Sequence, residues 1–238
     1  MNNIMSNNQI DGNKYAIVVG ISDYTYINDL KYCDDDAVSW CDYLTLKGYT
    51  IYLFGDGTNS YGTYVPINVA TEINVRKCVK EIAEKIVSND KFVFIDSGHG
   101  SSINKKLGTS LLCMVDENNI QQGSYYDIEF ADDIKPMIIK NANVIIFTDA
   151  CLSGGFIDNI INLTTTNACI LTTCTQKGNG YEIHDLKHGA WTYYLLIKTL
   201  MSFDQPDNLF EAYKRAIVDY PYSGEDTPQI AGNGELYF

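Results

Sequence analysis

Two short stretches carry residues able to do covalent chemistry. The apolar run Phe92-Val93-Phe94-Ile95 leads into Asp96-Ser97-Gly98-His99-Gly100, and a second run, Val144-Ile145-Ile146-Phe147, leads into Asp149-Ala150-Cys151-Leu152 and closes on Ser153-Gly154-Gly155. A histidine and a cysteine therefore each leave the tip of a predicted strand. An imidazole within reach of a thiol takes its proton or stabilises its thiolate, which makes a nucleophile for acyl transfer. The adjoining glycines allow tight turns and close backbone approach. They leave the N–H groups of Gly100 and Cys151 as candidates to hold a developing oxyanion. Singly, a cysteine after a buried strand is a packing residue and a glycine-flanked histidine caps a turn. Their conjunction at two strand ends selects a cysteine-peptidase reading, with Cys151 as nucleophile and His99 as acid and base.

Positioning two such tips requires neighbouring parallel strands, and the rest of the chain supplies the pattern. Predicted strands cover Tyr15 to Gly20, Thr50 to Phe54, Lys91 to Asp96, Thr109 to Val115, Asn143 to Thr148 and Ala168 to Thr173. Between them fall helical patterns: Asp34 to Leu46, Asn68 or Thr71 to Val87, Asp127 to Ile139, Lys187 to Met201 and Asn208 to Tyr220. Alternation of this kind gives an α/β, three-layer αβα sandwich with a mostly parallel central sheet of about six strands. Ligands of such sheets sit at the carboxyl ends of the strands, where His99 and Cys151 fall. Gly55 to Pro66 and Ser101 to Gly108 read as loops. His184 and His188 lie in a polar stretch expected to be a solvated surface loop.

Four motifs, in order, resemble a known family: Tyr15-Ala16-Ile17-Val18-Val19-Gly20-Ile21-Ser22-Asp23-Tyr24, Leu30-Lys31-Tyr32-Cys33-Asp34-Asp35-Asp36-Ala37, Ser97-Gly98-His99-Gly100 and Asp149-Ala150-Cys151. Together they resemble the caspase-fold cysteine peptidases, and among these the metacaspases and their bacterial relatives. Leu152 stands where metacaspases commonly carry histidine. The resemblance implies a His99–Cys151 dyad and a pocket for a basic side chain lined by Asp36, Ser97 and Asp149. It also implies calcium as an activator, not as a participant in the chemistry, with Asp116, Asp132, Asp133 and Asp158 at the spacings of such a cluster. Arginine is nearly absent: Arg76 and Arg215 both lie in predicted helices, so no bidentate clamp for an acidic side chain suggests itself. Cleavage after Arg or Lys is the expected specificity. Lys105-Lys106, Lys177 and Lys187 are then candidate self-cleavage sites.

A chain of 238 residues with 45% hydrophobic content can bury the core of one enzyme domain. We expect a polar extension over 1–13 and one peptidase domain over 14–238. Met1 to Asn13 lacks the apolar core of a signal peptide and no stretch reaches the length of a membrane span, so the expectation is a cytoplasmic protein without a membrane partner. The net charge of −13 disfavours nucleic acid as partner. Cys33, Cys41, Cys78, Cys113, Cys169 and Cys174 show neither paired C-x-x-C spacing nor a disulfide framework and are expected to be reduced packing residues. A monomer is expected. Two rivals stay open: a legumain-like asparaginyl endopeptidase on the same fold, and a catalytically silent caspase-like binding module.

Overall fold

The computed structural model describes residues 12–103, 109–116, 123–163 and 167–238. At its centre is a seven-stranded sheet. In chain order its strands are β1 (Lys14–Gly20), β2 (Thr50–Gly55), β3 (Asn68–Val69), β4 (Lys91–Ser97), β8 (Asn143–Asp149), β9 (Ala168–Thr172) and β12 (Gln229–Gly232). Their spatial order is β12-β9-β8-β4-β1-β2-β3, parallel throughout except for β12, which runs antiparallel along β9. Five of the six expected strands lie in this sheet; the expected strand Thr109 to Val115 does not, and β3 and β12, short or polar and without apolar alternation, are additions to the expected set.

Both faces of the sheet are covered, which explains why its strands read as unbroken apolar runs. One layer holds α2 (Glu72–Lys85), α3 (Asp127–Ile139) and α4 (Phe156–Ile161), packed on Ile17, Val19, Phe92, Phe94, Val144 and Ile146. The other holds α1 (Cys33–Leu46), α5 (Ala190–Thr192, continued by Tyr193–Leu200) and α6 (Leu209–Val218), packed on Ala16, Val18, Val93, Ile95, Ile145 and Phe147. Alternate residues of each strand thus serve opposite layers, as the pleat demands. Thr71 caps α2, its hydroxyl accepting the Asn74 N–H at 3.3 Å, while Asn68 falls in β3.

Three expectations are corrected. The segment after His99 is not a loop throughout: β5 (Gly100–Ser102) pairs with β6 (Ser110–Cys113), and β6 with β7 (Ser124–Tyr126), in a separate antiparallel sheet at the strand ends. Lys105 and Lys106 lie outside the described residues. The helix expected from Lys187 begins three residues later. A hairpin of β10 (Glu182–Ile183) and β11 (His188–Gly189) comes first, turning through Lys187 at φ 53°. Helix α5 then opens as an α-turn (Ala190–Thr192) and continues as a π-helix (Tyr193–Leu200). Lastly, His184 and His188 are not unpartnered: His184 contacts the Tyr32 hydroxyl, and His188 Nδ1 lies 2.8 Å from Asp36 Oδ1.

Candidate functional site

Strand register builds the site. Ser97 and Asp149 are direct partners in the β4–β8 ladder, and both belong to the parity that faces α1. Asp36, in the first turn of α1, meets them there: Ser97 Oγ donates to Asp36 Oδ2 at 2.6 Å. Beyond the ladder the chain turns out of the sheet at Gly98-His99-Gly100 and at Ala150-Cys151-Leu152. The second turn is sharp. Leu152 sits at φ 58°, a left-handed conformation that costs a bulky side chain about 1–2 kcal/mol. Its N–H bonds the Gly178 carbonyl at 2.9 Å and its carbonyl accepts Ser110 Oγ at 2.8 Å, which holds the strain in place.

His99 and Cys151 line one cavity of about 330 Å³, with Ser97, Asp149, Glu182 and Gly189 among the other wall residues. Their side chains do not hydrogen-bond each other. His99 Nε2 lies 2.8 Å from the Asn28 carbonyl oxygen. A carbonyl can only accept, so Nε2 carries the proton and Nδ1 is left as the basic nitrogen. Tyr24 steadies the same residue: its hydroxyl accepts the His99 N–H at 2.8 Å and its ring stands 4.9 Å from the imidazole. The Cys151 thiol lies 3.7 Å from the Gly180 carbonyl and accepts the Gly180 N–H at 3.3 Å. Burial pushes this thiol up from its ordinary range, and the Asp149 and Asp226 carboxylates add to that, against the Gly180 N–H. The thiol therefore needs a base. Gly100 packs so closely on the nucleophile segment that a Cβ there would stand 2.0 Å from the Cys151 carbonyl oxygen, so only glycine permits the approach. Gly100 and Cys151 are thereby adjacent, but Gly100 is not among the residues lining the cavity. All other described cysteines are free and buried, and Cys151 alone among them is partly exposed.

The carboxylates divide by access. Asp149 is 7% exposed and lines the cavity, whereas Asp36 is 0% exposed and stands behind its wall. Asp36 is satisfied by Ser97 Oγ, His188 Nδ1 and the Gly189 N–H, which reaches both its oxygens at 3.1 Å. Gly189 passes between the two acids; a Cβ there would lie 2.4 Å from Asp149 Oδ2 and 2.8 Å from Asp36 Oδ2. Asp149 accepts the Thr192 N–H at 2.8 Å. Burial first, and then the Asp36 carboxylate, pushes the Asp149 carboxyl up to about 7. Sequence reasoning missed Glu182, a further carboxylate in the wall, because a two-residue strand in a polar stretch carries no periodic signal.

The Caspase domain family model matches residues 13–230. The chain belongs to the caspase-domain family. Among curated relatives, metacaspase-1 of Kluyveromyces lactis is 24% identical over 165 residues, covering 63% of this chain and 35% of that protein. Metacaspase-3 of Arabidopsis thaliana is 28% identical over 154 residues, covering 62% and 41%. The caspase-domain chain thus spans well under half the length of the metacaspases it matches. Among solved structures, the protein GSU0716 of Geobacter sulfurreducens superposes with a TM-score of 0.70 at 14% identity, over 93% of this chain and 94% of that one, a likeness of fold.

The four carboxylates expected to gather round calcium do not converge. Asp116 lines a cavity with Glu72, Arg76 and Glu129; Asp132 and Asp133 line another with Lys80 and Lys140; Asp158 lines a third with Thr175 and Glu225. Asp133 is already matched by cations, Arg76 Nε at 2.6 Å and Lys80 Nζ at 3.4 Å, and accepts the Tyr125 hydroxyl at 3.0 Å. Among the described residues no three acidic, histidine or cysteine side chains are grouped to hold a metal ion. The expected set does not fit as one donor shell. Nor, among the described residues, is any helix long and apolar enough to cross a membrane.

Proposed function

We propose that this caspase-domain protein is a cysteine endopeptidase that cleaves after Arg or Lys. The observation that carries the reading is a single cavity walled by Cys151, His99 and Asp149, with no lysine or arginine among its lining residues. In the reaction, the Cys151 thiol gives its proton to His99 Nδ1 as Sγ attacks the scissile carbonyl carbon. The Gly100 and Cys151 N–H groups receive the oxyanion. The imidazolium then protonates the leaving amine nitrogen as the C–N bond breaks, leaving a thioester. Water, deprotonated by the neutral imidazole, attacks the thioester carbon and restores the thiol. The substrate's basic side chain meets Asp149 through charge-assisted hydrogen bonds, with Asp36 and Ser97 holding the field behind it. Lys177 and Lys187, both exposed, are the described candidates for self-cleavage.

Fluorogenic peptides ending in Arg, Lys, Asp or Asn, tested on native protein and Cys151→Ala with and without calcium, decide the matter. Hydrolysis after Arg or Lys alone, lost in Cys151→Ala, is expected. Turnover of the Asn peptide instead selects the legumain-like reading, and no turnover of any peptide selects the binding module. A calcium requirement in the same series tests activation without presupposing where the ion binds.

A further inference from the structure

The cleft has two walls of different origin. His99 and its partner Asn28 stand on one side, the latter in the segment that runs from β1 into α1. On the other side the segment 180–192 supplies the Gly180 partner of Cys151 and the Gly189 and Thr192 amides that hold Asp36 and Asp149. Only one side chain of the β10–β11 hairpin reaches across to the Asn28 segment through backbone amides. Glu182 Oε1 accepts the Lys31 N–H at 2.8 Å and the Tyr32 N–H at 2.7 Å, with the Cys33 thiol at 4.0 Å.

We propose that Glu182 is a positioning residue for His99, a role that rests on the peptidase reading and extends it. Tyr32 precedes α1 and offers no side-chain cap of its own, so the amides entering the helix are met by the Glu182 carboxylate from outside. Two N–H groups converging on one anionic oxygen form a strong, directional clamp. Three residues before Lys31, the Asn28 carbonyl receives the His99 Nε2 proton. The clamp therefore fixes the carbonyl that sets the imidazole tautomer and aim, and it does so from the segment that also holds Cys151. The relative placement of base and nucleophile is set through Glu182, although it touches neither.

Glu182→Ala and Glu182→Gln separate this role from the alternatives, because the glutamine amide oxygen still accepts both N–H groups while its charge is gone. On an Arg-ending fluorogenic peptide, Glu182→Ala is expected to lower kcat by roughly 10- to 100-fold with little change in KM, the scale of a misplaced acid–base group. Its pH profile of kcat/KM moves on the limb reporting His99. Glu182→Gln restores kcat to within about threefold. Circular dichroism and thermal melting establish that both variants are folded. Iodoacetamide labelling of Cys151, mapped by mass spectrometry across pH, adds a readout independent of peptidolysis. In Glu182→Ala the labelling profile shifts to higher pH as the base is lost from the thiol. Unchanged kcat and labelling in Glu182→Ala overturn the proposal; so does an equal rise of KM in both variants with kcat intact, which makes Glu182 a charge contact for substrate. A wild type that labels but hydrolyses no peptide defeats the peptidase reading, while the labelling shift still decides the role of Glu182.

Discussion

Two groups of carboxylates lie on opposite faces of the sheet, and they are neutralised in different ways. On the α2–α3 face, Glu72, Glu129 and Asp133 surround the Arg76 guanidinium at 3.0, 2.9 and 2.6 Å, with Lys80 beside Asp133. On the α1 face, Asp36 and Asp149 are met by a hydroxyl, backbone N–H groups and one histidine, and among the described residues neither pairs with lysine or arginine. Dipoles satisfy hydrogen bonds without cancelling charge, so the second group remains short of a cation. Burial first, and the Asp36 carboxylate second, push the Asp149 carboxyl up to about 7, and no lysine or arginine among the described residues opposes them. A substrate guanidinium or ammonium group would supply what Arg76 supplies on the other face. On the proposed specificity the acidic pair is completed from outside by the substrate's cation, whereas the Arg76 group already holds its own.

Breaking the chemistry gives the largest expected effect. Cys151→Ala should lower kcat/KM on an Arg-ending peptide by about 10³-fold or more, measured against the uncatalysed background. Removing the charge deficit comes next. Asp149→Asn keeps an oxygen for the Thr192 N–H but offers no anion, and should cost about 100-fold in kcat/KM on Arg and Lys peptides. An equal loss on every peptide would assign Asp149 to structure instead of specificity.

The pH dependence sharpens the same point. In native protein, kcat/KM on an Arg peptide should climb as pH rises through about 7, where Asp149 ionises. Stability should move the other way. The folded carboxyl lies above its unfolded value of 3.8, so its contribution is fully present below about pH 4 and is lost as pH rises through about 7. Thermal melts from pH 4 to 8 should show that decline in native protein and a flatter course in Asp149→Asn, by on the order of 4 kcal/mol.

Much of this geometry is legible in the sequence, for a definite reason. Period-two alternation through Val93, Ile95 and Ser97, and through Ile145, Phe147 and Asp149, places both polar residues on the α1 face once the strands pair. His99 and Cys151 follow because each lies past the end of its strand. What could not be read is the opposite wall. The β10–β11 hairpin and the first turn of α5 contribute through backbone N–H groups of Gly189 and Thr192, which nearly any residue possesses, and through Glu182 and His188, which look like ordinary surface polars in a polar stretch. The acidic spacing expected to gather round a metal ion misled for a related reason. Spacing does not reveal that Arg76, from a helix far away in sequence, already stands between α2 and α3.

Replacing that arginine makes one face resemble the other. Arg76→Met keeps much of the aliphatic stem but removes the guanidinium, which stands over the Tyr125 ring at 5.9 Å, and so withdraws the cation from Asp133, whose side chain is 8% exposed. Lys80 stays at 3.4 Å and the Tyr125 hydroxyl still donates, so Asp133 keeps hydrogen bonds but loses most of its charge compensation. Loss of the partner to a buried carboxylate costs about 1–3 kcal/mol, which in a chain of this size lowers Tm by roughly 3–10 °C. If the cost is electrostatic, Arg76→Lys, which returns a cation on a stem of similar length, should recover part of it. Melts of Arg76→Met and Arg76→Lys test this: a smaller deficit in Arg76→Lys supports the account. An equal deficit in both would mean that Arg76 acts by packing alone, and that the two acidic groups differ less than their partners suggest.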